Sequence, residues 1–127
     1  EVEFLPFLSE SKFMNLYHEA SLLILPLLEG GSSQTLNEAL SSGLPVLTNK
    51  FPNLIDYTNT EGVLKFRPGD YPGMAHACLK LLNDERKLIS MSTEARSHIL
   101  KYDYSNIKER LAGIYANYLG FEIMEFG

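Results

Sequence analysis

A run of small and polar residues, Glu29-Gly30-Gly31-Ser32-Ser33-Gln34-Thr35-Leu36-Asn37-Glu38, separates a continuous apolar stretch from an amphipathic one. Adjacent glycines carry no Cβ to hold a ligand away from the backbone, and the first turn of a following helix offers unpaired N–H groups at the positive end of its dipole. A diphosphate suits such a turn. Glu38, inside that helix, is an acceptor suited to ribose hydroxyls, and Glu29, at the strand exit, to the hydroxyls of a second sugar. Two carboxylates around a glycine loop fit a nucleotide-sugar. The same residues also suit a plain strand-to-helix connection, in which Gly and Ser only cap the helix and an acidic residue answers its dipole. The pattern by itself leaves both readings open.

The elements that must position this run follow from periodicity. Val2-Glu3-Phe4-Leu5 alternates as a strand does, and Ser9 is placed to cap a helix carrying Phe13, Leu16, Tyr17 and Ala20 on one face. Leu22-Leu23-Ile24-Leu25, stopped by Pro26, reads as a strand covered on both faces, as in parallel sheets. A short helix over Thr35 to Ser42 ends at Gly43, and Pro45-Val46-Leu47 starts a third strand. Phe51-Pro52-Asn53 marks a turn and Gly62 to Phe66 a fourth strand. Three helices then follow, over about Tyr71 to Leu82, Asp84 to Ile99 and Ser105 to Leu119, the last carrying Ile107, Leu111, Ile114 and Tyr118 on a face. The alternation predicts a doubly wound, Rossmann-like α/β layer of about four parallel strands with flanking helices. In such sheets ligands bind at the carboxyl ends of the strands, which is where the glycine run falls.

Composition narrows the function classes. The 127 residues are 45% hydrophobic and 21% charged, as expected of one globular domain able to bury roughly two thirds of its surface without a staple. Eleven Lys plus Arg against sixteen Asp plus Glu, with no basic run, disfavour nucleic acid as a partner. The longest apolar stretch, Leu22 to Leu28, is far short of the roughly 20 residues that span a bilayer, and no signal-peptide pattern opens the chain. A cytoplasmic setting fits, with peripheral membrane attachment of a longer protein compatible with it. The single cysteine, Cys78, reads as a core residue. No metal is expected: Asp-x-Asp is absent, and His18, His76 and His98 are scattered without a second ligand at metal spacing. Glu1 stands in an apparent strand without an initiating Met, which predicts that residues 1–127 are one domain cut from something longer.

Leu16-Tyr17-His18-Glu19-Ala20-Ser21, Leu25-Pro26, Glu29-Gly30-Gly31-Ser32, Asn37-Glu38-Ala39-Leu40 and Ser42-Gly43-Leu44-Pro45-Val46 follow one another in an order that is specific as a set. From Val2 to about Tyr118 the chain resembles the latter part of the C-terminal, donor-binding domain of a GT-B glycosyltransferase of the group 1, family 4-like kind. Relatives of that kind usually place seven residues between the two glutamates, whereas Gly30 to Asn37 is eight. The glycine loop is expected to absorb the excess, because an insertion within the helix would rotate Glu38 by about 100°. Relatives also tend to have paired glycines where this chain has Phe51-Pro52-Asn53.

The resemblance implies a nucleotide diphosphate sugar as donor substrate, transfer of a hexosyl group to an acceptor hydroxyl, and no cofactor or metal. It implies that Glu38 holds the ribose, that Glu29, with Gly30 and Gly31, meets the transferred sugar, and that Ser32 belongs to the same substrate-binding set. Backbone N–H groups near Ser33, Gln34, Thr35 and Leu36 would face the diphosphate, and Pro6 and Ser9 the nucleobase. It further implies that basic residues, two strands and an acceptor-binding domain lie before residue 1. The strand at Val2 to Leu5 is then expected either to pair with Leu22 to Leu25 directly, through a right-handed crossover, or to leave edges that join another copy or another chain. Within the fold, a sugar-nucleotide epimerase is the alternative. A noncatalytic Rossmann-like binding module is the alternative from another class.

Overall fold

The computed structural model describes residues 1–27 and 33–120. Among these, the elements run α1 (Glu10–Glu19), β1 (Leu23–Leu25), α2 (Gln34–Ser41), β2 (Val46–Asn49), α3 (Ile55–Thr58), β3 (Val63–Phe66), α4 (Tyr71–Leu82), α5 (Glu85–Ile99) and α6 (Tyr104–Leu119). The strands form one parallel sheet in the order β1-β2-β3, with Leu23 beside Val46 and Val46 beside Val63. All four residues of β2 are buried. Successive side chains of a strand point to opposite faces, so this pattern requires cover on both.

Val46 and Val63 pack with Tyr17 of α1, Leu36, Ala39 and Leu40 of α2, and Ala95 and Ile99 of α5. Leu47, on the other face, packs with Met74 and Leu81 of α4 and Met91 of α5, and Cys78 lies half-buried against that cluster. The layer is therefore doubly wound. Local chemistry sets the helix ends. Asp70 and Asp84 accept hydrogen bonds from the amides of Gly73 and Lys87, each at 3.0 Å, capping α4 and α5. Gly43, at φ +70°, ends α2: its amide reaches the Leu40 carbonyl at 3.0 Å and the Leu44 amide reaches Ala39 at 2.8 Å. The short helices at Pro52–Leu54 and α3 occupy the place read as a turn, and Leu54 is buried in the first cluster.

Three expectations are corrected. The described residues hold three strands, not about four, because Val2 to Leu5 forms none and does not pair with β1. Val2 and Phe4 are 81% and 92% exposed. Alternation gives that segment a face to bury, but a strand also needs a neighbour for its backbone groups, and β1 pairs only with β2. At the edge strand itself, Ile24 is 43% exposed, so the two-sided cover read from its apolar run is incomplete. In α6 the expected face of Ile107, Leu111, Ile114 and Tyr118 has no buried member. No helix among the described residues is long and apolar enough to cross a membrane.

Gly62 sits where β3 begins, under α5. A Cβ there would lie 2.6 Å from the Ala95 amide nitrogen and 2.7 Å from its Cα, and backbone cannot yield as the tip of a flexible side chain does. Gly62→Ala should destabilise the fold by about 1–3 kcal/mol, the usual cost of overpacking, seen as a lower urea midpoint at unchanged slope.

Candidate functional site

The carboxyl ends of the strands are anchored by two buried polar side chains. Thr48 donates its hydroxyl to the Leu25 carbonyl at 2.9 Å, and Asn49 donates its amide to the Leu27 carbonyl. The chain leaving β1 is thus tied to β2 on either side of Pro26, whose ring has no N–H to join a ladder. On the far side of residues 28–32, Ser33 caps α2 by accepting from the Leu36 amide at 3.1 Å. Glu29, Gly30, Gly31 and Ser32 lie outside the described residues.

Within α2 the buried Leu36, Ala39 and Leu40 define the inward face, and the helix runs in ordinary α phase from Gln34. Glu38 stands at the border of that face, and both of its carboxylate oxygens are engaged. Oε2 accepts from the Tyr17 hydroxyl at 3.0 Å, and Oε1 accepts from the Gln34 side-chain amide at 2.8 Å. Gln34 is one turn before Glu38 on the same helix, whereas Tyr17 reaches it from α1. Tyr17 is 7% exposed, and its ring meets Phe13 edge-on at 5.2 Å between centroids. Burial pushes its phenol up to about 12. Glu38 adds to the rise as hydrogen-bond acceptor and as negative charge, against an opposing pull from Thr35. Tyr17 is therefore a neutral donor across the physiological range.

A groove of about 640 Å³ opens beside this carboxylate, with Leu5, Pro6, Phe7 and Phe13 along one wall and Gln34 and Glu38 along the other. It brings Pro6 and Glu38, two residues expected around one nucleoside, to a common space. Ser9 does not line it. That residue precedes α1, its carbonyl accepting from the Phe13 amide at 2.9 Å and its hydroxyl lying 3.4 Å from that of Ser11. At the start of α2 the Leu36 side chain is wholly buried and its amide donates to the Ser33 hydroxyl. Among the described residues this leaves the amides of Gln34 and Thr35 at the head of the helix without a partner. A second cavity, of about 530 Å³, lies at the other edge of the sheet against β3, lined by Lys50, Lys65, His98 and Lys101 among others. It contains none of the expected site residues.

Tyr17 is the participant that sequence reading missed, having been taken only for an apolar face position. A phenol at a core position needs an acceptor for its hydroxyl, and that requirement was the available signal.

A family model described as Glycosyl transferases group 1 matches residues 1–84, a span that contains α1, α2, the three strands and the groove between Pro6 and Glu38. Neither the curated proteins nor the solved structures contain a match to the chain.

The burial of Tyr17, with its bond to Glu38, has a sign in alkali. The ordinary phenol value is 10.0 and the folded one about 12, so between those values the unfolded chain gives up a proton that the folded chain keeps. The stabilisation is complete below the lower value and is lost as pH rises toward the higher. Urea midpoints measured at about pH 9 and about pH 11 should fall by less in Tyr17→Phe than in the wild type.

Proposed function

The chain belongs to the glycosyl transferases group 1 family, and on that footing we propose that it is the donor-binding part of a glycosyltransferase that uses a nucleotide diphosphate sugar. In the reaction an acceptor hydroxyl oxygen bonds to the anomeric carbon of the donor while the bond to the diphosphate breaks. The diphosphate leaves with the electron pair, and the hydroxyl gives up its proton. A hexosyl group is the unit transferred.

The observation that carries this reading is the Glu38 carboxylate, held beside a groove that also contains Pro6, at the carboxyl side of a parallel sheet. A carboxylate accepts up to four hydrogen bonds, and among the described residues two donors occupy it, so each oxygen keeps capacity for a hydroxyl of a ribose. The apolar wall of Leu5, Phe7 and Phe13 gives a nucleobase a surface to lie against. Ser33 and the head of α2, with the amides of Gln34 and Thr35, present a positive dipole end to the leaving diphosphate, where negative charge grows as the bond breaks. Glu29, Gly30 and Gly31 complete the donor site by meeting the transferred sugar.

Calorimetric titration of the intact protein with uridine, guanosine and adenosine diphosphates tests the reading. One of them should bind, and Glu38→Ala should weaken that binding by about 1.5–3 kcal/mol, the cost of a lost hydrogen bond to a charged group. Absence of heat with all three nucleotides while circular dichroism shows the fold intact would overturn it.

A further inference from the structure

Two side chains hold the Glu38 carboxylate among the described residues. Neither of its donors is a cation: one is a phenol from another helix and the other a side-chain amide from its own. A Lys or Arg in either place would hold the carboxylate equally well but would draw off its negative charge, making it a poorer acceptor for a third group. Neutral donors orient the carboxylate and leave its charge undiminished. Tyr17 adds rigidity to the orientation, because its ring is locked by burial and by the edge-on contact with Phe13, and it spans 21 positions of sequence to reach Glu38. Phe13 also lines the groove, so the contact that fixes the Tyr17 ring is shared with the groove wall.

We propose that Tyr17 and Gln34 are positioning residues that hold the Glu38 carboxylate, charge intact, to accept the two hydroxyls of a vicinal diol on the ligand. The inference rests on the nucleotide reading above and adds to it the two side chains that act through Glu38 and the selectivity they confer. Among the described residues each carboxylate oxygen receives one donor, which leaves one acceptor position per oxygen, the number that a diol needs. Loss of the Tyr17 hydroxyl frees the carboxylate to turn about its terminal torsion, which is broad and roughly two-fold when nothing constrains it. The cost then falls on ligands that use both oxygens. A ligand without the diol is indifferent to where the carboxylate points.

The test compares nucleoside diphosphates with their 2′,3′-dideoxy counterparts by calorimetry, using the uridine, guanosine and adenosine pairs on the intact protein. Tyr17→Phe keeps the ring and its packing. It should weaken the hydroxylated nucleotide about three- to tenfold and change the dideoxy form by less than about twofold. Gln34→Leu, at an exposed position that the fold tolerates, should show the same selectivity at about half the effect on a logarithmic scale. Adding Tyr17→Phe to Glu38→Ala should cost nothing further, since the residue acts through a carboxylate that is gone. Equal weakening of both nucleotide forms would assign Tyr17 a structural role and sink the proposal. So would unchanged affinity in both single variants while Glu38→Ala still weakens binding, an outcome that spares the nucleotide reading. Failure of every nucleotide to bind the wild type overturns both together.

Discussion

Everything in this fold answers to the burial of β2 on both sides. Val46, Leu47, Thr48 and Asn49 are withdrawn from water in succession, which only a central parallel strand with helices on each face allows. Two of the four are polar. Their side chains are accommodated because each finds a carbonyl on the chain leaving β1, Thr48 at Leu25 and Asn49 at Leu27. A buried polar group without a partner costs more than the bond itself contributes, so these contacts are obligatory rather than ornamental. The central strand therefore does two things: it organises the hydrophobic layers, and it ties down the segment from which the glycine run departs.

The opposite end of that run is secured by different means. Ser33 caps α2 through the Leu36 amide, and Leu36, Ala39 and Leu40 seat the helix in the core. With its phase set in this way, α2 can deliver Glu38 to only one place, the rim of the groove, where α1 supplies Tyr17. The helix is regular from Gln34 to Ser41, and the glycine run expected to take up the eight-residue interval between Glu29 and Glu38 lies outside the described residues.

Most of the architecture could be read from the residues because it rests on patterns with a local cause. The run ending at Pro26 and the Gly43 terminator each mark an element by chemistry within a few positions. What could not be read depends on partners distant in sequence. Val2 to Leu5 alternates like a strand but has no neighbour, and Ile24 belongs to a strand with nothing beside one of its edges among the described residues. At the candidate site, Glu38 was identifiable by type and spacing. Its partner Tyr17 was not, since a hydrogen bond across 21 residues leaves no periodic trace.

One helix belongs to both hydrophobic layers. Along α5, Leu88 and Met91 lie against the cluster around Leu47, while Ala95 and Ile99 join the one around Val46 and Val63. A fluctuation that peeled α4 from its face would disturb the same rod that roofs the other, so the halves are mechanically coupled through a shared beam. Slow amide exchange should accordingly be inherited by α2 and α4 alike, with the domain melting as a single cooperative unit rather than layer by layer.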